Sequence, residues 1–376
     1  MNSQDQNSSV NPAALAAETD PAAVAAKTDP AAVAAATIGA ALASLAERRS
    51  LDEQGAREVM LALMSGEATQ AQIGALLMGL RSKGETVDEV TGAVSAMRAL
   101  SSKVVVDVPY LVDTCGTGGT GRKLFNVSSA AAFVAAASGA RVAKHGNRGM
   151  SSRFGAADLL EAANVRLDLS AAQIARCIRD VGVGFMFAPA HHSAMKHVVG
   201  PRRELGIRTL FNLMGPMTNP AGAPNQVIGV FAVEWMQPMA EVLRRLGSRH
   251  VLLVHSDDGL DELSLAGGND VVELKDGAIS SYRLHPEDVG LARSAIAGLQ
   301  AGDVQESLAR VHAALAGEGA AADMVAFNAG AAIYAAGVCA TLRQGVDMAQ
   351  DAIGSGLARE RMDELARYTR TMKDTA

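Results

Sequence analysis

The best guide to the fold is the stretch Leu111-Val112-Asp113-Thr114-Cys115-Gly116-Thr117-Gly118-Gly119-Thr120-Gly121. The short apolar run at residues 110–114 predicts a strand, and the four glycines in the six residues 116–121 predict a turn after it. A helix is predicted to begin near Asn126-Val127-Ser128-Ser129 and to continue to Gly139. Glycines let backbone amides approach a ligand, and a helix start offers unpaired N–H groups. This strand–loop–helix unit therefore predicts an anion-binding site.

Short apolar runs alternate with stretches of helical periodicity along the rest of the chain. Strands are predicted at residues 110–114, 140–143, 184–188, 227–233 and 251–255. Strands separated by helices are typical of βαβ units, which build a parallel sheet with helices on both faces. The predicted fold class is α/β, with a small N-terminal helical domain joined to a larger α/β domain that has a central, mainly parallel sheet. Ligands of such sheets bind at the carboxyl ends of the strands.

The helical domain is predicted at residues 38–105. Capping-box spacing occurs there three times, at Ser50 with Glu53, Thr69 with Gln72, and Thr86 with Glu89. Behind each start, apolar residues recur at i, i+3, i+4 and i+7: Ala56, Val59, Met60 and Leu63; Ile73, Leu76, Leu77 and Leu80; Val90, Ala93, Val94 and Met97. Gly84 stands where a C-cap glycine is expected. The region therefore predicts a small helical bundle.

Residues 1–37 form a leader rich in alanine and proline. A nine-residue unit recurs at Asn11-Pro12, Asp20-Pro21 and Asp29-Pro30, and each new proline interrupts the helix that the previous unit could start. Because the leader has almost no large apolar side chain to bury, we expect it to be disordered.

The composition argues against several classes of protein. The net charge is −6, whereas binding to a nucleic-acid backbone needs clustered cations, so no nucleic-acid partner is expected. The sequence predicts neither a membrane span nor a secretory signal. The three cysteines have no CxxC spacing, which fits a reducing compartment, and a cytoplasmic location is predicted.

The glycine-rich loop has other interpretations. Gly116, Gly118 and Gly121 match the GxGxxG pattern of dinucleotide-binding folds, but that pattern expects an acidic residue about 20 positions later. This chain has Arg141 and Lys144 there, which argues against a nicotinamide enzyme. A P-loop nucleoside triphosphatase is excluded because no GKS or GKT follows. Cys115 is a candidate nucleophile, although a single thiol at a strand end more often has a packing role.

A second polar loop follows the second predicted strand. It reads Lys144-His145-Gly146-Asn147-Arg148-Gly149-Met150-Ser151-Ser152. Two cations, an amide and two hydroxyls with interspersed glycines favour a polyanionic ligand over a solvated charge run, which would not need the glycines.

Two further groups of residues are candidates for metal binding. Asp257, Asp258, Asp261 and Glu262 follow the last predicted strand and form either a Mg²⁺ site or a solvated loop. His191, His192 and His197 lack an HExxH pattern or a cysteine partner. We therefore expect these histidines to shape an acceptor tunnel or to pack between domains.

These motifs together resemble the anthranilate phosphoribosyltransferase family. The matching segments run in order from about residue 38 to the end: the glycine-rich loop, residues 126–129 and 144–148, Phe187-Ala188-Pro189, Arg202-Arg203-Glu204-Leu205-Gly206, Phe211-Asn212-Leu213-Met214-Gly215-Pro216 with Thr218-Asn219-Pro220, and residues 255–262. The resemblance implies transfer of the phosphoribosyl group of phosphoribosyl pyrophosphate to the amine of anthranilate, with release of pyrophosphate, in tryptophan biosynthesis. It also implies a homodimer formed through the helical domain, a central helical insertion at about 190–206, and an α/β substrate-binding domain at 106–376.

The resemblance assigns roles to individual residues. The catalytic residues would be Lys144, Asn147 and Arg148. Phosphoribosyl pyrophosphate would be bound by Gly116, Gly118, Gly119, Thr120, Leu124, Asn126, Val127, Ser128, Ser129, Lys144, His145, Gly146, Asn147, Arg148, Gly149, Met150, Ser151, Ser152 and Ala156. Anthranilate would contact Gly116, Asn147 and Arg202. Two Mg²⁺ ions per subunit are expected, one facing Ser128 and the other held by Asp261 and Glu262.

The chain departs from the family's pattern at two positions. Thr120 replaces the usual aspartate after GTGG, and Leu124 replaces the usual threonine. Both positions would lie against the diphosphate and its metal, so these departures bear on metal coordination more than on the reaction. Two rival functions have the same fold: a pyrimidine nucleoside phosphorylase, which would lack the Arg202 pattern and the Asp261–Glu262 pair, and a nucleic-acid-binding relative without activity.

Overall fold

The computed structural model describes residues 29–118, 124–149 and 154–373. The helical domain comprises α1 (Pro30–Ala46), α2 (Glu53–Ser65), α3 (Gln70–Lys83) and α4 (Val87–Leu100). All twelve apolar residues predicted to line α2, α3 and α4 are buried, which confirms the three stripes. The capping boxes at Thr69 and Thr86 are confirmed, and Gly84 is the C-cap of α3, with a φ of 92°.

Two predictions about this domain are wrong. Asp52, not Ser50, is the N-cap of α2, because its carboxylate directly precedes the helix and accepts from the Gly55 N–H at 2.7 Å. Residues 30–37, expected to be disordered, form the first half of α1. Asp29 caps this helix by accepting from the Ala31 N–H at 3.1 Å, and Ala34 and Ile38 are buried. Small alanine side chains bury little area alone, but neighbouring helices cover them in the fold. The remainder of the predicted leader, residues 1–28, lies outside the described residues.

The α/β domain is built on one seven-stranded sheet. Its strands are β1 (Leu111–Gly116), β2 (Arg141–Gly146), β3 (Val183–Phe187), β4 (Asn225–Gly229), β5 (His250–Ser256), β6 (Asn269–Lys275) and β7 (Ala278–Leu284), in the order β3-β2-β1-β4-β5-β6-β7. Neighbours among β1–β5 are parallel, with Val112 opposite both Val142 and Asn225. The five predicted strands overlap these five, and the predicted fold class is confirmed.

The hairpin β6–β7 was not predicted. These strands are antiparallel to their neighbours and extend the sheet beyond β5. The two-residue turn between them, Asp276-Gly277, has φ values of 48° and 84°, as a type I′ turn requires. The hairpin lacks a strong apolar pattern because most of β7 is exposed or half-buried.

Helices cover both faces of the sheet. They are α5 (Val127–Ala137), α6 (Ala156–Ala162), α7 (Ala171–Asp180), α8 (Ala188–His191), α9 (Val199–Leu205), α10 (Leu210–Met214), α11 (Met236–Arg245), α12 (Val304–Leu315), α13 (Gly319–Ala336), α14 (Leu342–Gly354) and α15 (Leu357–Thr371). Alternate residues of β5 face opposite layers: Leu252 and Val254 join the core of α5 and α12–α15, whereas Val251 and Leu253 join that of α11 and the helical domain.

The connection from β3 to β4 joins the two domains. Val198, Leu210 and Phe211 from this connection pack into the same apolar core as α1–α4. Within the described ranges, no helix has both the length and the apolar character needed to cross a bilayer.

Candidate active site

The loops after β1, β4 and β5 meet at the carboxyl edge of the sheet. The Gly118 N–H donates to Oδ2 of Asp261 at 2.9 Å, so the acidic loop after β5 reaches across β4 to β1. Glycine at two strand ends leaves room for this contact, and at Gly229 the neighbouring atom belongs to the backbone. A Cβ on Gly229 would lie 1.6 Å from the Asp261 carbonyl oxygen, and one on Gly116 would lie 2.6 Å from the Asp261 carboxylate. Close backbone approach thus places the acid against the glycine-rich loop.

A pocket opens at this meeting point. Ser128, Asp261 and Glu262, the three residues predicted to bind metal, all line it. The lining residues are Thr114, Cys115, Ser128, Ala131, Val227, Gly229, Val254, Asp261, Glu262 and Asn328. The structure therefore brings together residues that are more than 130 positions apart in the sequence.

The acids of the pocket are costly to ionise. Burial, and then the neighbouring Asp261, raise the pKa of Glu262 to about 8, while Lys144 acts to lower it. Burial also raises the pKa of Asp261 despite the hydrogen bond from the Gly118 N–H. No residue that the structure describes donates a hydrogen bond to the Glu262 carboxylate. Two close carboxylates with so few donors suit a cation.

A buried cation lies beside these acids. The Lys144 ammonium donates to the Thr114 carbonyl at 2.6 Å and to Oγ of Ser128 at 3.3 Å. Burial lowers its pKa, although Asp113, Cys115 and Glu262 act to raise it. Burial, followed by the charge of Asp113, raises the pKa of Cys115 well above its ordinary value. A thiol held neutral in this way is a poor nucleophile, which agrees with a packing role for Cys115.

The donor set fits Mg²⁺. Two carboxylates and a hydroxyl are hard oxygen ligands, and Mg²⁺ uses one or two carboxylates together with water and substrate phosphates. Across residues 29–118, 124–149 and 154–373, no three His, Cys, Asp or Glu side chains form a metal-binding cluster.

The carboxyl-terminal end of β2 is held by a buried acid, Asp113, to which the sequence assigned no role. Oδ1 of Asp113 accepts from the His145 N–H at 3.1 Å, and Oδ2 accepts from the Asn219 amide at 2.7 Å. Asn219 also donates to the Ala143 carbonyl at 2.9 Å. Burial raises the pKa of Asp113, while Lys144 and these hydrogen bonds act in the opposite direction. The Thr218-Asn219-Pro220 motif was the available signal for this network.

Arg148 is directed toward α6. It pairs with Asp158 at 3.0 Å and with Glu161 at 2.8 Å, and its guanidinium lies 5.6 Å from the centre of the Phe187 ring. Asp158 also accepts from the N–H groups of Gly149 and Gly155, at 2.9 and 2.7 Å. Asp158, which the sequence analysis did not single out, thus joins the two described ends of the loop to α6.

The other residues predicted to bind phosphoribosyl pyrophosphate have varied surroundings. Val127 is fully buried in the core, and Leu124 forms an isolated bridge with Gln300 and packs against that core. Asn126 precedes α5 without capping it, since its Oδ1 accepts from the Ser307 hydroxyl at 2.8 Å.

The remaining predicted positions are glycines, small residues or residues outside the described ranges. The Ser129 hydroxyl is buried with no hydrogen-bond partner among the described residues. Gly146 is packed so tightly that a Cβ would lie 3.0 Å from Phe185 and 3.2 Å from Ala156. Gly119, Thr120, Met150, Ser151 and Ser152 lie outside the described residues.

Arg202 lies on α9, in the connection that joins the domains. Its guanidinium stacks 4.9 Å from the centre of the Phe211 ring, and burial lowers its pKa. It makes no hydrogen bond or ion pair with any residue that the structure describes. Its neighbour Arg203 is exposed. An unpaired, half-buried guanidinium can bind a ligand carboxylate.

The histidines lie between the two domains. The rings of His145 and His192 are 5.2 Å apart, and Nδ1 of His191 bonds the Ser102 carbonyl at 2.8 Å. Burial, followed by neighbouring histidines, lowers the pKa of His145 to about 3 and that of His192 to about 4, so both are neutral at pH 7. The ring of His197 packs against Gly66. His191 and His197 thus contact the helical domain, as one of the two roles expected for these histidines requires.

Known proteins share this architecture. Two family models match the chain: the Glycosyl transferase family, helical bundle domain, at residues 40–101, and the Glycosyl transferase family, a/b domain, at residues 108–359. The anthranilate phosphoribosyltransferase of Hahella chejuensis is 57% identical over 335 residues, which cover 88% of this chain and 97% of that protein.

Solved structures agree. The crystal structure of anthranilate phosphoribosyltransferase from Thermus thermophilus superposes with a TM-score of 0.84 at 44% identity and covers 88% of this chain and 99% of that one. The yeast enzyme, solved in complex with PRPP and Mg, has a TM-score of 0.81 at 24% identity over 90% of this chain and 99% of its own, which shows the shared fold. The chain belongs to the anthranilate phosphoribosyltransferase family.

Proposed function

We propose that the chain transfers the phosphoribosyl group of phosphoribosyl pyrophosphate to the amine of anthranilate and releases pyrophosphate. The observation that supports this most directly is the pocket at the carboxyl edge of the sheet. It places the glycine-rich loop, the start of α5 and the acidic pair Asp261–Glu262 around one opening, beside the buried Lys144. A polyanion together with a divalent cation would satisfy these groups.

The diphosphate is expected at the start of α5. No side chain among the described residues caps this 11-residue helix, so the positive end of its dipole is available to an anion. The Val127 and Ser129 N–H groups donate to the Phe125 and Asn126 carbonyls, at 2.7 and 3.1 Å, so the dipole rather than a row of free amides favours the anion here. Gly116, Gly118 and Ser128 supply backbone and hydroxyl contacts in this proposal, and Lys144 supplies a positive charge. Arg148 would exchange part of its exposed ion pair with α6 for the diphosphate, since exposed ion pairs contribute only about 0–1 kcal/mol.

Asp261, Glu262 and Ser128 would hold Mg²⁺. When bound, the metal would neutralise negative charge that develops on the leaving diphosphate. The yeast relative, whose complex contains PRPP and Mg, supports this use of the metal. We propose two ions per subunit, one facing Ser128 and the other held by Asp261 and Glu262.

The acceptor is expected between the domains. In this proposal, the Arg202 guanidinium pairs with the carboxylate of anthranilate, and Asn147 and Gly116 border the ring. The amine nitrogen then attacks the anomeric carbon, the bond from that carbon to the diphosphate oxygen breaks, and the surplus amine proton passes to water. Aromatic amines are weak bases and mostly unprotonated at pH 7. The reaction therefore depends on alignment and on charge stabilisation rather than on a strong general base.

We propose that the protein acts as a homodimer through its helical domain. Large apolar side chains are exposed there on three helices: Val33 on α1, Met78 on α3 and Leu100 on α4. Light scattering of the purified protein tests this proposal, because Met78→Glu is expected to convert a dimer to a monomer. A monomeric wild type at micromolar concentration would contradict it.

The test of the activity is the loss of anthranilate fluorescence in the presence of phosphoribosyl pyrophosphate and Mg²⁺. Turnover should require all three components. A folded protein that shows no turnover over a wide range of Mg²⁺ concentrations would refute the proposal. Phosphorolysis of pyrimidine nucleosides by the same preparation would indicate the phosphorylase function instead.

A further inference from the structure

One buried amide in the α/β domain lies outside the roles described above. Asn328 is in α13, a helix whose side chains are almost all apolar and buried, and only 6% of the residue is exposed. A buried amide destabilises a fold unless its polar atoms are hydrogen-bonded, so an asparagine in this helix needs a specific partner.

That partner is the loop that follows β5. Oδ1 of Asn328 accepts from the Leu263 N–H at 3.0 Å, and its amide nitrogen donates to the Leu263 carbonyl at 2.9 Å and to the Met324 carbonyl at 2.9 Å. Leu263 lies outside every strand of the sheet. The Asn328 side chain therefore bonds both the N–H and the carbonyl of Leu263, as a neighbouring strand would.

The peptide that Asn328 holds is the one that follows Glu262. The N–H of Leu263 and the carbonyl of Glu262 belong to the same planar peptide group, so the hydrogen bond fixes the orientation of the backbone from which the Glu262 side chain projects. The Glu262 carboxylate itself accepts no hydrogen bond from any described residue. Asp261 differs, because the Gly118 N–H holds its carboxylate directly.

The rest of the acidic loop is held at its ends. Asp258 accepts from the hydroxyls of Ser256 and Ser264, the latter at 2.8 Å, and Asn269 accepts from the Ser264 N–H at 2.7 Å. These bonds close the loop but do not involve the N–H of the Glu262–Leu263 peptide. Asn328 also lines the same pocket as Asp261 and Glu262.

We propose that Asn328 is a positioning residue that holds Glu262 in the pocket and thereby sets the affinity of the Asp261–Glu262 pair for a divalent cation. This inference rests on the metal site of the proposed function. Loss of a group that orients a metal ligand typically weakens metal binding about 10- to 100-fold, and we expect an effect in this range.

The test uses Mn²⁺ as a spectroscopic probe in place of Mg²⁺. Free Mn²⁺ is measured by electron paramagnetic resonance during titration of the full-length protein with saturating phosphoribosyl pyrophosphate, against a protein-free reference. The variants are Asn328→Ala and the less disruptive Asn328→Ser. The matched control is Asn225→Ala, which removes a buried amide (1% exposed) at the opposite end of the sheet, where it donates to the Leu111 carbonyl at 2.9 Å.

We expect the Asn328 variants to bind Mn²⁺ at least about tenfold more weakly, while Asn225→Ala loses thermal stability without a change in Mn²⁺ affinity. In a Glu262→Gln background, Asn328→Ala or Asn328→Ser should cause no further weakening, because the group that Asn328 positions is already altered. Unchanged Mn²⁺ affinity in folded Asn328 variants would overturn the inference, and so would equal weakening in the Asn225 control. If Glu262→Gln alone leaves Mn²⁺ binding unchanged, it is the proposed metal site that fails.

Discussion

A buried acid lies beside each end of β5, and the two acids differ in their hydrogen bonds. Near the amino-terminal end, Glu273 of β6 accepts hydrogen bonds from His250 and from the Tyr334 hydroxyl, both at 2.8 Å. Burial acts to raise the pKa of Glu273, but hydrogen bonds from His250, Tyr334 and Tyr282 outweigh it, and the pKa lies below its ordinary value. At the carboxyl-terminal end, Glu262 accepts no hydrogen bond from any described residue, and burial, followed by the charge of Asp261, raises its pKa to about 8.

The same contrast separates two arginines. The Arg98 guanidinium is largely buried and donates to the Met217 carbonyl at 2.7 Å and the Leu246 carbonyl at 3.2 Å, which ties α4 to the α/β domain. Arg202 is half-buried and stacks on Phe211, and it has no hydrogen bond to any residue that the structure describes. Groups whose hydrogen bonds are complete stabilise the fold. Polar groups near the ligand site whose hydrogen bonds are incomplete lower the stability of the fold, and a bound ligand can supply the missing hydrogen bonds.

The largest expected effect is that of Glu262→Gln. We expect kcat to fall about a hundredfold, because a ligand of the proposed metal is lost. The metal-free variant should nevertheless melt at a higher temperature at pH 7, since the ionised form of this buried acid is unfavourable in the folded state. The gain should be roughly 1–2 °C for each kcal/mol recovered, because the unfolding entropy of a chain of 376 residues is large. Differential scanning calorimetry and steady-state kinetics measure both effects. If Glu262→Gln were less stable than wild type and fully active, the contrast between Glu262 and Glu273 would be contradicted.

Glu273→Gln should have the opposite pattern. We expect it to lower the free energy of unfolding at pH 7 by about 1–3 kcal/mol, with kcat unchanged. The folded-state pKa of Glu273 lies below its ordinary value of 4.5. The stability it contributes is therefore complete well above pH 4.5 and is lost as the pH falls through the lowered value. Urea unfolding at pH 7 and at pH 3 should show the difference from wild type shrinking in acid. A constant difference would mean that charge is not involved.

Arg202→Ala tests the role of the guanidinium that has no hydrogen bond to any described residue. Loss of a charge-assisted pair typically costs about 1.5–3 kcal/mol, so the KM for anthranilate should rise roughly tenfold or more. The KM for phosphoribosyl pyrophosphate should stay within about twofold. The exposed neighbour Arg203→Ala is the matched control and should leave both constants unchanged. Equal increases for both substrates would remove Arg202 from the acceptor site.

The smallest effect is expected for Asp158→Asn. The substitution keeps an oxygen that can accept from the Gly149 and Gly155 N–H groups but removes the charge that pairs with Arg148. We expect the KM for phosphoribosyl pyrophosphate to change about two- to fivefold, since charge-assisted hydrogen bonds are roughly twice as strong as neutral ones. Glu161→Gln removes only the exposed ion pair and should change it less. A larger effect of Glu161→Gln would mean that the ion pair, rather than the position of the loop, determines the KM for phosphoribosyl pyrophosphate.

Much of the fold could be predicted from local sequence. The stripes of α2, α3 and α4 and the five parallel strands follow from periodicity over ten or fewer residues. The first half of α1 could not be predicted from local sequence, because its alanines become buried only when other helices cover them. The β6–β7 hairpin has little apolar patterning, although Asp276-Gly277 was an available turn signal.

The candidate site was predictable where the family motif lies and not where distant residues meet. Asn219 bonds Asp113 across 106 positions, and Asn328 bonds Leu263 across 65. No local pattern identifies such a pair, because each asparagine alone resembles many polar residues in loops or helices. Only the folded chain shows that these amides hold the loops that bear the motif residues.

Gly229 has a consequence for how the tolerance of this chain to mutation should be interpreted. Any side chain there would have to displace the Asp261 carbonyl, since an added Cβ would lie 1.6 Å from it. In a saturation screen for activity, position 229 should therefore reject every replacement, alanine included. Such complete intolerance is usually attributed to contact with a substrate. At Gly229 the cause would instead be steric, because two backbone segments lie too close together for any side chain. A screen alone would therefore wrongly identify Gly229 as a residue that contacts substrate.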